Sequence, residues 1–248
     1  MDGDRRRSPP FDPQQAFITV RFGESLRHVY YRGPESVVWT MIKQPSIEAL
    51  RFPRGVRLAA EADLPKSDDK LDKLARISSA NITTGFVLTT SAGPGFSTYI
   101  EANVHADVVW SVFETLASRL LPDVSAPLVG CMDDEATLGP YTNKPAALAV
   151  LRAHAESLQH DGFIEFGLMS QQGGKTEEVM VKGSKDLRIW TNNRAVATET
   201  LLSLGIPSVE KLQFIDEYPR VTERLVGDPS SEETISAIVG AFQSLPPR

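Results

Sequence analysis

The sequence predicts an α+β fold, with mainly antiparallel sheet and helices packed against it. Three observations lead there. Short apolar segments with a period of two are closed by Gly, Pro or Asn. Other segments carry apolar residues at i, i+3, i+4 and i+7, the period of a helix with one buried face. Several strand-like segments are joined by short glycine-bearing turns, which brings consecutive strands together as hairpins.

The elements follow in chain order. Residues 1–13 are polar, with an arginine triplet and three prolines, and read as a disordered tail. Residues 16–22, 26–31 and 37–42 read as a three-stranded antiparallel meander. A short helix is expected over 67–77, capped by Ser67, with Leu71, Leu74 and Ala75 as its stripe. Residues 86–90 and 98–104 are strand-like, with a turn at Gly93-Pro94-Gly95 between them. Val109, Val112, Phe113, Leu116 and Leu120 give the clearest helical stripe in the chain, so a helix runs over 107–121. Pro122 ends it, and 128–132 is a strand. Asn143 starts a helix over 144–158, with Pro145 tolerated in its first turn.

The densest patterning lies in 161–218. Residues 163–168 and 177–182 read as strands around the turn Gln171-Gln172-Gly173-Gly174, and 187–191 as a third, with Trp190 facing away from Leu187 and Ile189. A helix over 193–204 is capped by an asparagine and stopped by Gly205. Residues 212–215 are read as a last strand. Ser230 with Glu233 forms a capping box for a helix over 230–245.

Residues 86–132 and 163–215 therefore share an order of elements, as two related ββαβ-like halves. Internal duplication accounts for that, and so does ordinary αβ alternation without common descent. The expected organisation is a tail at 1–13, an N-terminal α+β half at 14–142 and a C-terminal half at 143–248, or the two halves as one continuous domain.

Composition bounds function. The 248 residues are 41% hydrophobic and 23% charged, ordinary for a chain with a sizeable core. A lone cysteine, Cys131, rules out an internal disulfide framework and fits a reducing compartment. No apolar run reaches membrane-spanning length, and Arg5-Arg6-Arg7 has no apolar run behind it. A cytoplasmic protein of bacterial type is the expectation. Residues 1–60 carry a balance of +4 and the remainder −10. An acidic body repels phosphates and disfavours nucleic acid, but suits a basic protein.

No catalytic motif survives inspection. Gly173-Gly174-Lys175-Thr176 has the end of a phosphate-binding loop, but Met169 stands where its first glycine belongs and a strand follows instead of a helix. Gly93-Pro94-Gly95 lacks the third glycine of a dinucleotide fingerprint. There is no Gly-x-Ser-x-Gly elbow. The histidines at 28, 105, 154 and 160 have no metal-ligand spacing, so neither metal nor cofactor is expected.

Two acidic runs remain, Asp133-Asp134-Glu135 and Asp216-Glu217, each after an expected strand. Carboxylates there serve as acid, base or cation ligand, or simply face solvent. The second run lies beside aromatics. We therefore expect a non-catalytic protein-binding module, for instance an immunity-type inhibitor of a toxin, whose binding residues are Trp190, Asp216, Glu217 and Tyr218. The alternatives are an enzyme whose site is assembled from dispersed acidic residues and a structural or regulatory subunit.

Overall fold

The computed structural model describes residues 16–22, 25–31, 49–91, 93–132, 134–224 and 229–246. The chain forms two compact units, residues 1–44 and 45–248. In the first, Ala16–Phe22 (β1) and Ser25–Tyr31 (β2) pair antiparallel, Ala16 opposite Tyr31 and Phe22 opposite Ser25. The tail at 1–13 and the strand expected at 37–42 lie outside the described residues.

The second unit runs β3 (Val56–Leu58), α1 (Lys70–Ser78), β4 (Gly85–Thr90), β5 (Thr98–Asn103), α2 (Val109–Leu120), β6 (Val124–Cys131), β7 (Thr137–Leu138), β8 (Thr142–Asn143), α3 (Lys144–Arg152), α4 (Ala155–His160), β9 (Ile164–Gln172), β10 (Lys175–Val181), β11 (Asp186–Thr191), α5 (Arg194–Ser203), β12 (Arg220–Thr222) and α6 (Ser231–Gln243). Eight strands form one sheet in the order β4-β5-β11-β10-β9-β6-β7, with β8 on a separate stretch of β6. Every pairing between these named strands is antiparallel. The α+β reading holds, and strands from both expected halves meet in this sheet at the β5–β11 pair.

Period two divides each strand between two faces. Ile100, Ala102, Leu187, Ile189, Val179, Val181, Phe166, Leu168 and Val129 lie on one face, and all are buried. The helices cover it. The α2 stripe of Val109, Val112, Phe113 and Leu116 is at most 3% exposed. Leu148 and Leu151 of α3, Leu201 of α5, and Ile238 and Phe242 of α6 join the same cluster. Phe113 meets Phe166 edge to face at 5.0 Å, the geometry that aromatic quadrupoles favour. Lys144, at the start of α3, donates from Nζ to the carbonyls of Ser118 and Leu121 at 2.8 and 2.6 Å. A cation at these carbonyls closes the C-terminal end of α2.

Local chemistry explains where elements begin and stop. The Asn193 side chain accepts from Val196 N at 3.3 Å and caps α5, while Gly205 follows that helix at φ +78°. The capping box of α6 forms in both directions, Glu233 N to Ser230 Oγ at 3.1 Å and Ser230 N to Glu233 Oε2 at 2.8 Å.

Other expectations change. The helix expected over 144–158 is two helices, separated by a tighter turn in which His154 N bonds the Leu151 carbonyl at 3.0 Å. Ser67 does not cap α1. Its hydroxyl instead donates to Asp69 Oδ1, at the N-cap, at 2.5 Å. The strand expected at 212–215 does not form. Side chains take the backbone groups that a ladder needs: Asn103 Nδ2 donates to the Gln213 carbonyl at 2.8 Å, and Phe214 N donates to Glu217 Oε1 at 3.2 Å. A 3₁₀ turn, Ile215–Glu217, follows. Beyond Pro219 the chain pairs as β12 with β3, a small second sheet absent from the sequence reading. No helix among the described residues is long and apolar enough to cross a membrane.

Candidate functional site

The second face of the large sheet carries polar and aromatic side chains on β5 and β11, and small or apolar residues such as Gly167, Met169, Ala126 and Leu128 on β9 and β6. Register sets out its rows. Thr89, Tyr99, Trp190, Glu178, Met169 and Ala126 lie side by side across six strands. Val87, Glu101, Arg188, Met180, Gly167 and Leu128 form the next row. Tyr99, Glu101, Arg188, Trp190, Glu178, Met169 and Leu128 are all half-buried. The residues beside them on the helix face are closed.

Trp190 and Tyr99 form the aromatic centre, with ring centroids 5.2 Å apart at 37°. Behind them sits Arg188. Its Nη1 donates to the Tyr99 hydroxyl at 3.1 Å, and its Nε donates to Asp186 Oδ2 at 2.6 Å. The same guanidinium pairs with Glu101 and lies 4.7 Å from the centre of the Phe214 ring. One planar cation thus ties β5, β11 and the 211–218 segment together. Burial pushes the Asp186 carboxyl up to about 6, against the pull of the Ser184 hydroxyl that donates to it at 2.6 Å. Burial likewise raises Glu178 and the Tyr99 hydroxyl.

At the Asp186 end of this face lies a polar hollow of about 270 Å³. Asp134 and Asp216 both line it, one carboxylate from each of the two acidic runs read from the sequence. Glu165, Lys182 and Arg220 complete its charged wall. Lys182 pairs with Glu165, and Arg220 with Asp216. Gly183 N also donates to Glu165 Oε1 at 3.3 Å. A Cβ on Gly183 would stand 2.5 Å from the Gly162 carbonyl, so only glycine lets this turn close against the turn that precedes β9. The next residue but one, Lys185, is buried at φ +67° and donates to the Ile164 carbonyl at 2.7 Å. Burial lowers its pKa to about 7, with Asp161, Glu165 and Asp186 pulling the other way.

The four binding residues expected from the sequence separate. Trp190 is on the open face beside Tyr99. Asp216 lines the hollow. Trp190 is four residues from Asp186 along β11, about 13 Å at strand rise. Glu217 holds the 3₁₀ turn through Phe214 N, and its carbonyl accepts from Arg76. Tyr218 packs with Val56, Ile82 and Ile215 in a second small core.

The sequence reading missed Tyr99, Glu101, Arg188 and Glu165. A signal for three of them exists. Asp186, Arg188 and Trp190 alternate with Leu187 and Ile189, so charges in the strand mark the face that the helices do not cover. Tyr99 and Glu101 repeat that pattern between the apolar Ile100 and Ala102. That Arg188 joins them could not be read without the register.

A second hollow, of about 240 Å³, lies by α4 and is lined by Arg54, Glu156, Ser157, His160, Asp161, Arg224 and Pro229. Burial lowers the pKa of His160, which favours neutral imidazole. The Cys131 thiol is pushed up by burial, away from the thiolate form a nucleophile needs. Among the described residues, no group of three or more His, Cys, Asp or Glu is placed to hold a metal. The chain matches no family model, no curated protein and no solved structure.

Proposed function

We propose that this chain is a non-catalytic protein-binding module that receives a basic protein on the open sheet face. Trp190 and Tyr99 are its aromatic anchor, and Asp216 belongs to an acidic rim at the other end. The observation that carries this reading is the half-buried Trp190–Tyr99 pair on the face opposite the helices. Anchors of this kind supply most of the affinity in protein interfaces, while rim carboxylates steer the approach of a cationic partner. A stoichiometric inhibitor of a basic toxin is one form such a module takes. The test is kinetic. A partner recovered with the wild-type chain should associate more slowly with Asp216→Lys at low salt, and the difference should shrink as salt screens the charges. Equal association rates at low salt would remove the acidic rim from the reading.

One observation favours a second reading, an enzyme built from dispersed carboxylates: Asp134, Glu165 and Asp216 meet around one hollow with Lys182 and Arg220. Turnover of a small substrate, lost in Glu165→Gln while the chain stays folded, would support it.

A further inference from the structure

The outermost strand of the sheet, β4, is paired on one side only, with β5. Its outer side is partly taken. Phe86 N donates to the Pro207 carbonyl at 2.9 Å, and Val209 N donates to the Phe86 carbonyl at 3.0 Å. The chain after α5 thus makes a one-residue parallel bridge to this edge, between Phe86 and Ser208. The bridge fixes which backbone groups face outward. Alternate residues of a strand share a side, so the N–H and C=O groups of Leu88 and Thr90 also point out. Among the described residues, no backbone bond reaches them. Ser91 N, one residue further, bonds inward to the Ser97 carbonyl at 2.9 Å, as the same alternation requires.

Natural edges are guarded by charge, proline, bulges or shortness. The opposite edge follows that rule: β7 has two residues and runs into Gly139 and Pro140. The β4 sequence, Gly85-Phe86-Val87-Leu88-Thr89-Thr90, has neither a charge nor a proline. Its register with β5 is unbroken, without a bulge. Thr89 and Thr90 are exposed. Leu202 and Leu204, 52% and 38% exposed, lie on the chain that leads into the Pro207–Val209 segment.

We propose that the outer edge of β4 is a strand-addition site. It takes an extended, uncharged segment of a partner protein through the backbone groups of Leu88 and Thr90. The occupant's chemistry is already present at this edge, since the Pro207–Val209 segment binds Phe86 in the same way. Backbone bonds would hold the added strand, and its alternate side chains would meet uncharged neighbours in Val87, Leu88, Thr89 and Thr90. This site is independent of the anchor at Trp190.

Amide exchange of the ¹⁵N-labelled full chain tests it. Leu88 and Thr90 amides should exchange fast, and those of Val87 and Thr89, which face β5, slowly. An acetylated and amidated Thr-Val-Thr-Val-Thr peptide at millimolar concentration should slow Leu88 and Thr90 at least tenfold. Thr90→Pro deletes one outward N–H and should lose this protection, whereas Trp190→Ala should keep it. If Thr90→Pro does not fold, Thr90→Lys serves instead, with its charge set against the uncharged strand. Unchanged exchange on adding peptide overturns the proposal, as does protection that survives both Thr90 variants. Concentration-dependent dimerisation of the chain alone, lost in Thr90→Pro, also overturns it by placing a second copy on this edge.

Discussion

Under the helices, the large sheet presents Ile100, Ile189, Val179, Phe166 and Val129, none of them exposed. On its other side the same strands present Tyr99, Trp190, Glu178 and Met169, all half-buried. Backbone, register and chain neighbours are shared, so only the side-chain alternation separates the two faces. The closed face makes contacts that depend on shape and on removal from water. The open face makes directional contacts through Arg188, which links the half-buried Tyr99 and Glu101 to the buried Asp186. Stability is therefore concentrated on one face, and chemistry available to a partner on the other.

The largest test of this division is Phe166→Ala. The ring packs against both Phe113 and Trp110, at 5.0 and 6.0 Å, and is fully buried. Its removal should cost about 3–5 kcal/mol in urea unfolding, the range for a large aromatic lost from a packed core. A loss near 1 kcal/mol would mean that the helix face is not what holds the fold.

Arg188→Ala should rank next, at about 2–3 kcal/mol, because it leaves the buried Asp186 carboxyl without its cation. Burial already holds the folded Asp186 carboxyl at about 6, above its unfolded value near 3.8, and loss of the cation should raise it further, so the variant's deficit should be larger at pH 7 than at pH 5, where the carboxyl is more protonated. Denaturant midpoints at pH 5 and pH 7 measure both effects.

Lys185→Met has a smaller effect with a definite sign. The folded chain holds Lys185 at about 7 where the unfolded chain holds it near 10.5, so the unfolded state binds more protons between those values. Wild-type stability should thus rise as pH increases from 7 towards 10, and that rise should vanish in the variant. At pH 7 the variant should be as stable or more stable, by about 1 kcal/mol, since a hydrophobe of similar volume escapes the desolvation of a buried ammonium.

Much of the closed face is legible in the sequence, because helix and strand periods there are driven by burial. The α2 stripe from Val109 to Leu116 is the clearest case. The failures come where side chains compete with the backbone. Residues 212–215 alternate like a strand, yet Asn103 and Glu217 intercept their hydrogen bonds. Glu217 and Tyr218 stand next to Asp216 in sequence, but one holds a turn and the other fills a small core. The open-face site was half legible. Trp190 and Asp216 stand out as residue types, whereas Tyr99 joins Trp190 only through a register between strands almost ninety residues apart.

The most direct measurement is a calorimetric titration of the partner into folded Trp190→Ala. If the open face is the recognition surface, Kd should weaken by a factor of roughly 30, the equivalent of about 2 kcal/mol, while the melting temperature stays within a few degrees of wild type. An unchanged Kd in a folded variant would contradict the account, and so would a collapse in stability matching that of Phe166→Ala.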